Sequence, residues 1–163
     1  EALQLAVARE KGARQLYTKA AEDSQDIHGK RMFLWLAEQE LGHLNYLARV
    51  RRELTKSGQW KTGTRKKGFF DPITKEKLPR PSEVKGPARP DTREYDALRL
   101  GQQSEREAIA FYSQAAAQVS DPAAKEMFQR LVAVEQGHLA LLERQEEWLY
   151  KTITLFAPPW FVP

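Results

Sequence analysis

The chain has 163 residues, 41% hydrophobic and 29% charged, with a formal net charge of +4, which is one domain's worth of chain with enough apolar material for a real core. It contains no cysteine, and this excludes disulfides, thiolate zinc sites, cysteine-held iron–sulfur centres and thiol nucleophiles together, so any metal must be held by oxygen and nitrogen. No apolar run approaches the ~20 residues that cross a bilayer, and no charged-then-apolar leader opens the chain; a start at Glu1 rather than Met is compatible with a removed segment, and the expected compartment is the cytoplasm.

The first predicted helix covers about residues 1 to 23. Its inward stripe runs Leu3, Ala6, Glu10, Ala13, Tyr17, Ala20, in the steps of three and four that mark one helix face. Glu10 stands in the middle of that apolar face. A second helix is predicted over about 28 to 56, with the stripe Phe33, Leu36, Glu40, His43, Leu47. Here "EQELGHLNYL" puts a carboxylate and an imidazole three apart, on one side of the helix. His28 falls at the turn before it and reads as a surface histidine.

Next comes "KSGQWKTGTRKKGFFDPITKEKLPRPSEVKGPARP", too rich in Pro and Gly to be one helix. It is expected to be a crossover over about 57 to 91. Residues 51 to 90 hold 12 Lys/Arg against 4 Asp/Glu, so the rest of the chain is net negative. Basic residues beside Trp60, Phe69 and Phe70 are what a surface for an acidic redox partner would carry. A solvated linker pinned by its aromatics is the stronger reading, and nucleic acid is not expected as a partner.

The third predicted helix, about 92 to 119, is preceded by Asp91, which with Glu94 makes a capping-box pattern. Its stripe is Leu98, Gly101, Glu105, Ala108, Tyr112, Ala115. The fourth, about 122 to 151, opens on Asp121 as N-cap and Pro122 in the first turn, with the stripe Phe128, Leu131, Glu135, His138, Leu142. The tail "TLFAPPWFVP" is apolar, proline-broken and too short to span a membrane; packing onto the bundle, or against a second copy in a homodimer, is its expected use.

Shifted by 95 positions, residues 2 to 54 align with 97 to 149: Glu10 meets Glu105, Tyr17 meets Tyr112, Asp26 meets Asp121, Met32-Phe33 meets Met127-Phe128, Glu40 meets Glu135, and Gly42-His43-Leu44 meets Gly137-His138-Leu139. The chain is a duplicated helical hairpin. Two short-turn hairpins joined by one long connection predict an all-α four-helix bundle with a single long crossover between the second and third helices, a single domain over 1 to 163 built from halves of about 1 to 56 and 92 to 151.

Four carboxylates and two imidazoles then point at the bundle axis at similar depth. Burying even one unpaired carboxylate costs several kcal/mol, so four at one level need neutralising cations. Two divalent ions balance them. One Glu-x-x-His is a weak signal, but two copies, each preceded by a stripe Glu 30 positions earlier, are specific; the ligands are Glu10, Glu40, His43, Glu105, Glu135 and His138. Tyr17 and Tyr112 are either core fillers or hydrogen-bond partners of the carboxylates. Glu38, Glu107, Glu126 and Glu143 fall off the stripes and read as solvated faces.

Through "EKGARQLYTKAA", "MFLWLAEQELGH", "EREAIAFYSQAA" and "MFQRLVAVEQGH", the chain resembles the ferritin-like superfamily and, within it, the rubrerythrin-type di-iron proteins. The resemblance implies a ferritin-like bundle holding two iron ions, a reaction with hydrogen peroxide or dioxygen, and a part in oxidative-stress defence. The same six residues carry over as ligands, with Glu40 and Glu135 bridging and Glu10 and Glu105 capping. Manganese is the other metal that such an oxygen-rich set with one imidazole per ion accepts.

Two departures from that family stand out. Rubrerythrins proper carry a cysteine-ligated rubredoxin domain, so here an external electron-donor protein is expected. Typical peroxidase members also have a further carboxylate one turn after the first on the third helix, where this chain has Ala108. A ferroxidase or iron-handling protein is the alternative, and a metal-stabilised interaction module working through the basic crossover is the second.

Overall fold

A computed structural model describes residues 2–60 and 92–156. Expectations about Phe69, Phe70, most of the basic crossover, the Asp91 cap and the chain end after Phe156 fall outside those residues. Four helices are present, α1 (Ala2–Asp23), α2 (Ile27–Ser57), α3 (Thr92–Gln118) and α4 (Pro122–Phe156). The described residues contain no strand. The architecture is therefore the expected all-α, ferritin-like bundle.

Local chemistry sets the helix ends. Asp26 caps α2, its carboxylate accepting from the backbone N–H of His28 at 3.1 Å and Gly29 at 2.8 Å. Its repeat partner Asp121 caps α4 in the same way, accepting from Ala123 at 2.8 Å and Ala124 at 3.1 Å. Helix α2 closes on Gly58, whose φ of 65° is left-handed and whose N–H reaches the Leu54 carbonyl; a glycine adopts this conformation without steric penalty.

Two boundary expectations need correcting. Helix α4 runs on to Phe156, past the expected end near 151, so it takes up the "TLF" assigned to the tail. Ile153 and Phe156 continue the four-and-three spacing from Leu149, and Pro158 disfavours helical backbone at the residue before it. His28 is not at a loose turn. It lies in the first turn of α2 and is partly buried.

The helices pair as α1 with α2 and α3 with α4, and α1 also lies along α3. Tyr17 of α1 reaches Glu105 of α3, while Tyr112 of α3 reaches Glu10 of α1. Residue numbers therefore rise along one helix as they fall along the other, and α1 and α3 are antiparallel. Each hairpin reverses direction, so α2 and α3 are parallel, and the end of α2 lies at the opposite end of the bundle from the start of α3. A connection between those points covers the length of a helix, ~46 Å for 31 residues at 1.5 Å each, which is why a long crossover is needed.

Two apolar clusters fill the bundle. One gathers Tyr46, Leu47, Val50, Tyr112, Phe128 and Leu131; the other gathers Tyr17, Phe33, Leu36, Leu98, Leu142 and Leu149. The repeat is visible in both, since Tyr17 stacks on Phe33 at 6.4 Å and Tyr112 on Phe128 at 6.1 Å between ring centroids. Trp60, the last described residue of the first part of the crossover, packs edge-on against Phe128, so the linker is held by an aromatic at this end. Between the two clusters lies a polar layer.

Candidate metal centre

That layer consists of the six residues singled out from the stripes. Glu10, Glu40, His43, Glu105, Glu135 and His138 are all at most 3% exposed. Each sits mid-helix, so regular backbone fixes where its side chain starts, and i, i+3 spacing puts Glu40 beside His43 and Glu135 beside His138. The six form two interlocking groups, Glu10, Glu40, His43, Glu135 and Glu40, Glu105, Glu135, His138, whose donor atoms lie within 4.8 Å of one another. Glu40 and Glu135 belong to both.

The distances are those of donors facing a common point. His43 Nδ1 lies 3.0 Å from Glu10, 3.1 Å from Glu40 and 3.4 Å from Glu135. His138 Nδ1 lies 2.9 Å from Glu135, 3.2 Å from Glu40 and 3.9 Å from Glu105. One ring N–H can serve one acceptor well, not three. Adjacent donors around a cation with bonds of about 2.1 Å would stand about 3.0 Å apart at right angles, close to the spacings seen here.

Hydrogen bonding leaves the cluster incomplete. Glu40 Oε1, both carboxylate oxygens of Glu135 and both ring nitrogens of His138 are buried without a hydrogen-bond partner, although His138 and Glu135 approach closely. Such orphaned polar atoms are rare in folded proteins and costly. Bound cations would satisfy them, and the donor set of carboxylates and imidazoles fits a metal site.

Without metal, protons do the neutralising. Burial pushes the Glu10 and Glu105 carboxyls well above the usual carboxylate range, with the charge of Glu135 adding to it. Burial works against both imidazoles as well, yet the carboxylates of Glu135 and Glu40 hold His43 and His138 well above 6.5. Glu40 and Glu135 also resist burial, and the charges on the two histidines keep them below the usual range. Shifts in these directions favour protonated Glu10, Glu105 and imidazoles beside ionised Glu40 and Glu135.

Tyr17 donates to Glu105 and Tyr112 to Glu10, so the tyrosines do partner carboxylates, each across to the other hairpin. Burial, with the neighbouring carboxylates adding to it, raises both phenols well above 10.0, which keeps them neutral donors. Glu107, Glu126 and Glu143 are exposed as expected, and each pairs with an arginine: Arg9, Arg130 and Arg106.

Two features had no signal in the helical stripes. The Trp35 ring meets the His138 ring edge-on at 5.9 Å, and a cleft of about 210 Å³ opens between α1 and α3 onto Glu10, Glu40, Glu105 and Glu135. Arg9, Gly12, Ala13, Ser104, Glu107 and Ala108 form the rest of its wall. Under the repeat, positions 9 and 12 pair with 104 and 107, and at both the two halves differ in charge, Arg9 against Ser104 and Gly12 against Glu107.

No helix among the described residues is long and apolar enough to cross a membrane. The family model described as Rubrerythrin matches residues 1–146, which takes in all six clustered side chains and both tyrosines. Neither a curated protein nor a solved structure gives a significant match.

Proposed function

The chain belongs to the rubrerythrin family, and from that premise we propose that it is a non-haem di-iron oxidoreductase reducing hydrogen peroxide or dioxygen. The observation that carries the reading is the pair of interlocking donor groups sharing Glu40 and Glu135. In this assignment Glu10 and His43 would hold one iron ion, Glu105 and His138 the other, and Glu40 and Glu135, common to both groups, would serve both ions. Oxygen donors with one imidazole per ion suit iron, with manganese as the competitor. When bound, the pair supplies two electrons, one per ferrous ion, to an O–O bond.

The protein's own groups prepare that chemistry. Tyr17 and Tyr112 each engage one oxygen of Glu105 or Glu10, which orients the carboxylate and leaves its second oxygen for metal. The apolar clusters on either side exclude water from the polar layer, and the α1–α3 cleft gives a small oxidant a way in. These 163 residues contain no cysteine to hold an iron–sulfur donor, so the electrons would be restored from outside the bundle.

Anaerobic loading with ferrous iron, followed by stopped-flow mixing with peroxide or oxygen, tests the reading. Ferric absorbance should rise, with iron still bound at two per chain. Unchanged spectra with both oxidants would rule it out. The ferroxidase alternative predicts continued oxidation of added iron beyond that stoichiometry, and the symmetric six-donor set with Ala108 beside it keeps that alternative open to measurement.

A further inference from the structure

The α1–α3 cleft is larger than those oxidants require. Its volume of about 210 Å³ compares with ~30 Å³ for one water in the liquid, and hydrogen peroxide has only two heavy atoms. At its inner end lie Glu40 and Glu135, which carry buried oxygens without hydrogen-bond partners.

Gly12, on its wall, is a glycine that neither backbone nor packing explains. It lies in the middle of α1, and among the described residues only Gly58 has a positive φ. Among the described residues, a Cβ built on Gly12 would meet nothing within 4 Å. Glycine in a helix interior is about 1 kcal/mol worse than alanine, so a side chain here would strengthen α1 and, as its main steric effect, narrow the cleft.

Charge at the rim is balanced. Arg9 Nη1 stands 3.9 Å from Glu107 Oε2, and its guanidinium lies over the Phe111 ring at 5.0 Å. Glu107 also accepts from Gln103 Nε2 at 2.8 Å. A balanced rim favours neither anions nor cations, while Gly12, Ala13 and Ala108 offer apolar contact.

We propose that this cleft is a substrate site for uncharged organic hydroperoxides with small alkyl groups, and that Gly12 sets its size limit. The inference rests on the peroxide-reducing reading above. The O–O bond of the hydroperoxide breaks as it takes two electrons, one from each bound ferrous ion, and two protons from solvent. The products are the alcohol and water, with two ferric ions left in the protein.

The test compares wild type, Gly12→Ala and Gly12→Leu. Ferrous-loaded protein is mixed with tert-butyl hydroperoxide or hydrogen peroxide, and the ratio of the two oxidation rates is read. Separately, uptake of Mn(II) by the metal-free proteins is followed by loss of the free-ion EPR signal. Gly12→Ala should melt no lower than wild type and lower the ratio by less than Gly12→Leu does. Gly12→Leu should lower the ratio several-fold and slow Mn(II) uptake, while reaching the same final metal content. Wild type oxidised by hydrogen peroxide but not by tert-butyl hydroperoxide would overturn the inference and leave the broader reading standing. An unchanged ratio and unchanged uptake in Gly12→Leu would overturn it too. Wild type inert to both oxidants would remove the peroxide reading and this inference with it.

Discussion

Glu40 and Glu135 differ from the other carboxylates in what their loss would do. Each belongs to both donor groups, whereas Glu10 and Glu105 belong to one apiece. Glu40→Gln should therefore cut bound metal towards zero, while Glu10→Gln should leave about one ion per chain, as elemental analysis after gel filtration would reveal. Equal losses from both variants would contradict the shared-ligand arrangement. The tyrosines carry a separate expectation: Tyr17→Phe and Tyr112→Phe each remove a hydrogen bond to a buried carboxyl group. Each should cost about 1–3 kcal/mol in urea unfolding of the metal-free protein, with similar values because the two contacts are related by the repeat. That these six side chains meet in one buried layer was legible in the sequence because each put a polar side chain where the helical period demanded an apolar one. The tyrosine contacts were legible only as one of two options, since periodicity gives a side chain's face and not its partner on the opposite hairpin.

Among the helices, the duplicated caps offer the cleanest comparison. Asp26 and Asp121 each accept from two backbone N–H groups, and replacing either by alanine should cost about 1 kcal/mol. Gly29 is a harsher case. A Cβ there would run into the Glu94 carboxylate of α3 and stand 3.0 Å from Ser24 Oγ, in a place where Glu94 is only 4% exposed. Gly29→Ala should destabilise the fold by about 1–3 kcal/mol through overpacking, measured by chemical denaturation; a neutral or stabilising result would mean that Glu94 moves aside freely. The sequence marked Glu94 as part of a capping pattern with Asp91, which suggests a wet helix end, and so it hid the packing of the α3 start onto the α2 start. Helix bodies were readable because their stripes are long and regular. The run of α4 to Phe156 was not, because apolar residues near a proline fit a packed tail as well as a helix. The cleft was invisible for a related reason: it depends on the spacing between α1 and α3, which no pattern within one helix reports.

At the scale of the whole molecule, the polar layer couples stability to pH with a sign that metal reverses. His43 and His138 have folded values above 6.5, so their stabilising contribution is present below 6.5 and is lost as pH rises through the folded values. Glu10 and Glu105, raised above 4.5, act in the same direction: the folded chain holds their protons more tightly than the unfolded chain does, and raising the pH removes that advantage. Glu40 and Glu135, lowered below 4.5, contribute above 4.5 and lose their contribution only in acid. The metal-free protein should therefore weaken from mildly acidic towards alkaline pH. Metal binding needs the same four protons gone from Glu10, Glu105 and the two imidazoles, so its affinity rises with pH, and a ligand that binds only the folded state stabilises it. Melting temperatures at about pH 6 and about pH 8.5, with and without Mn(II), should show the gap between loaded and metal-free protein widening as pH increases. A gap that stayed constant or narrowed would mean that the buried layer is not neutralised by exchange of protons for metal.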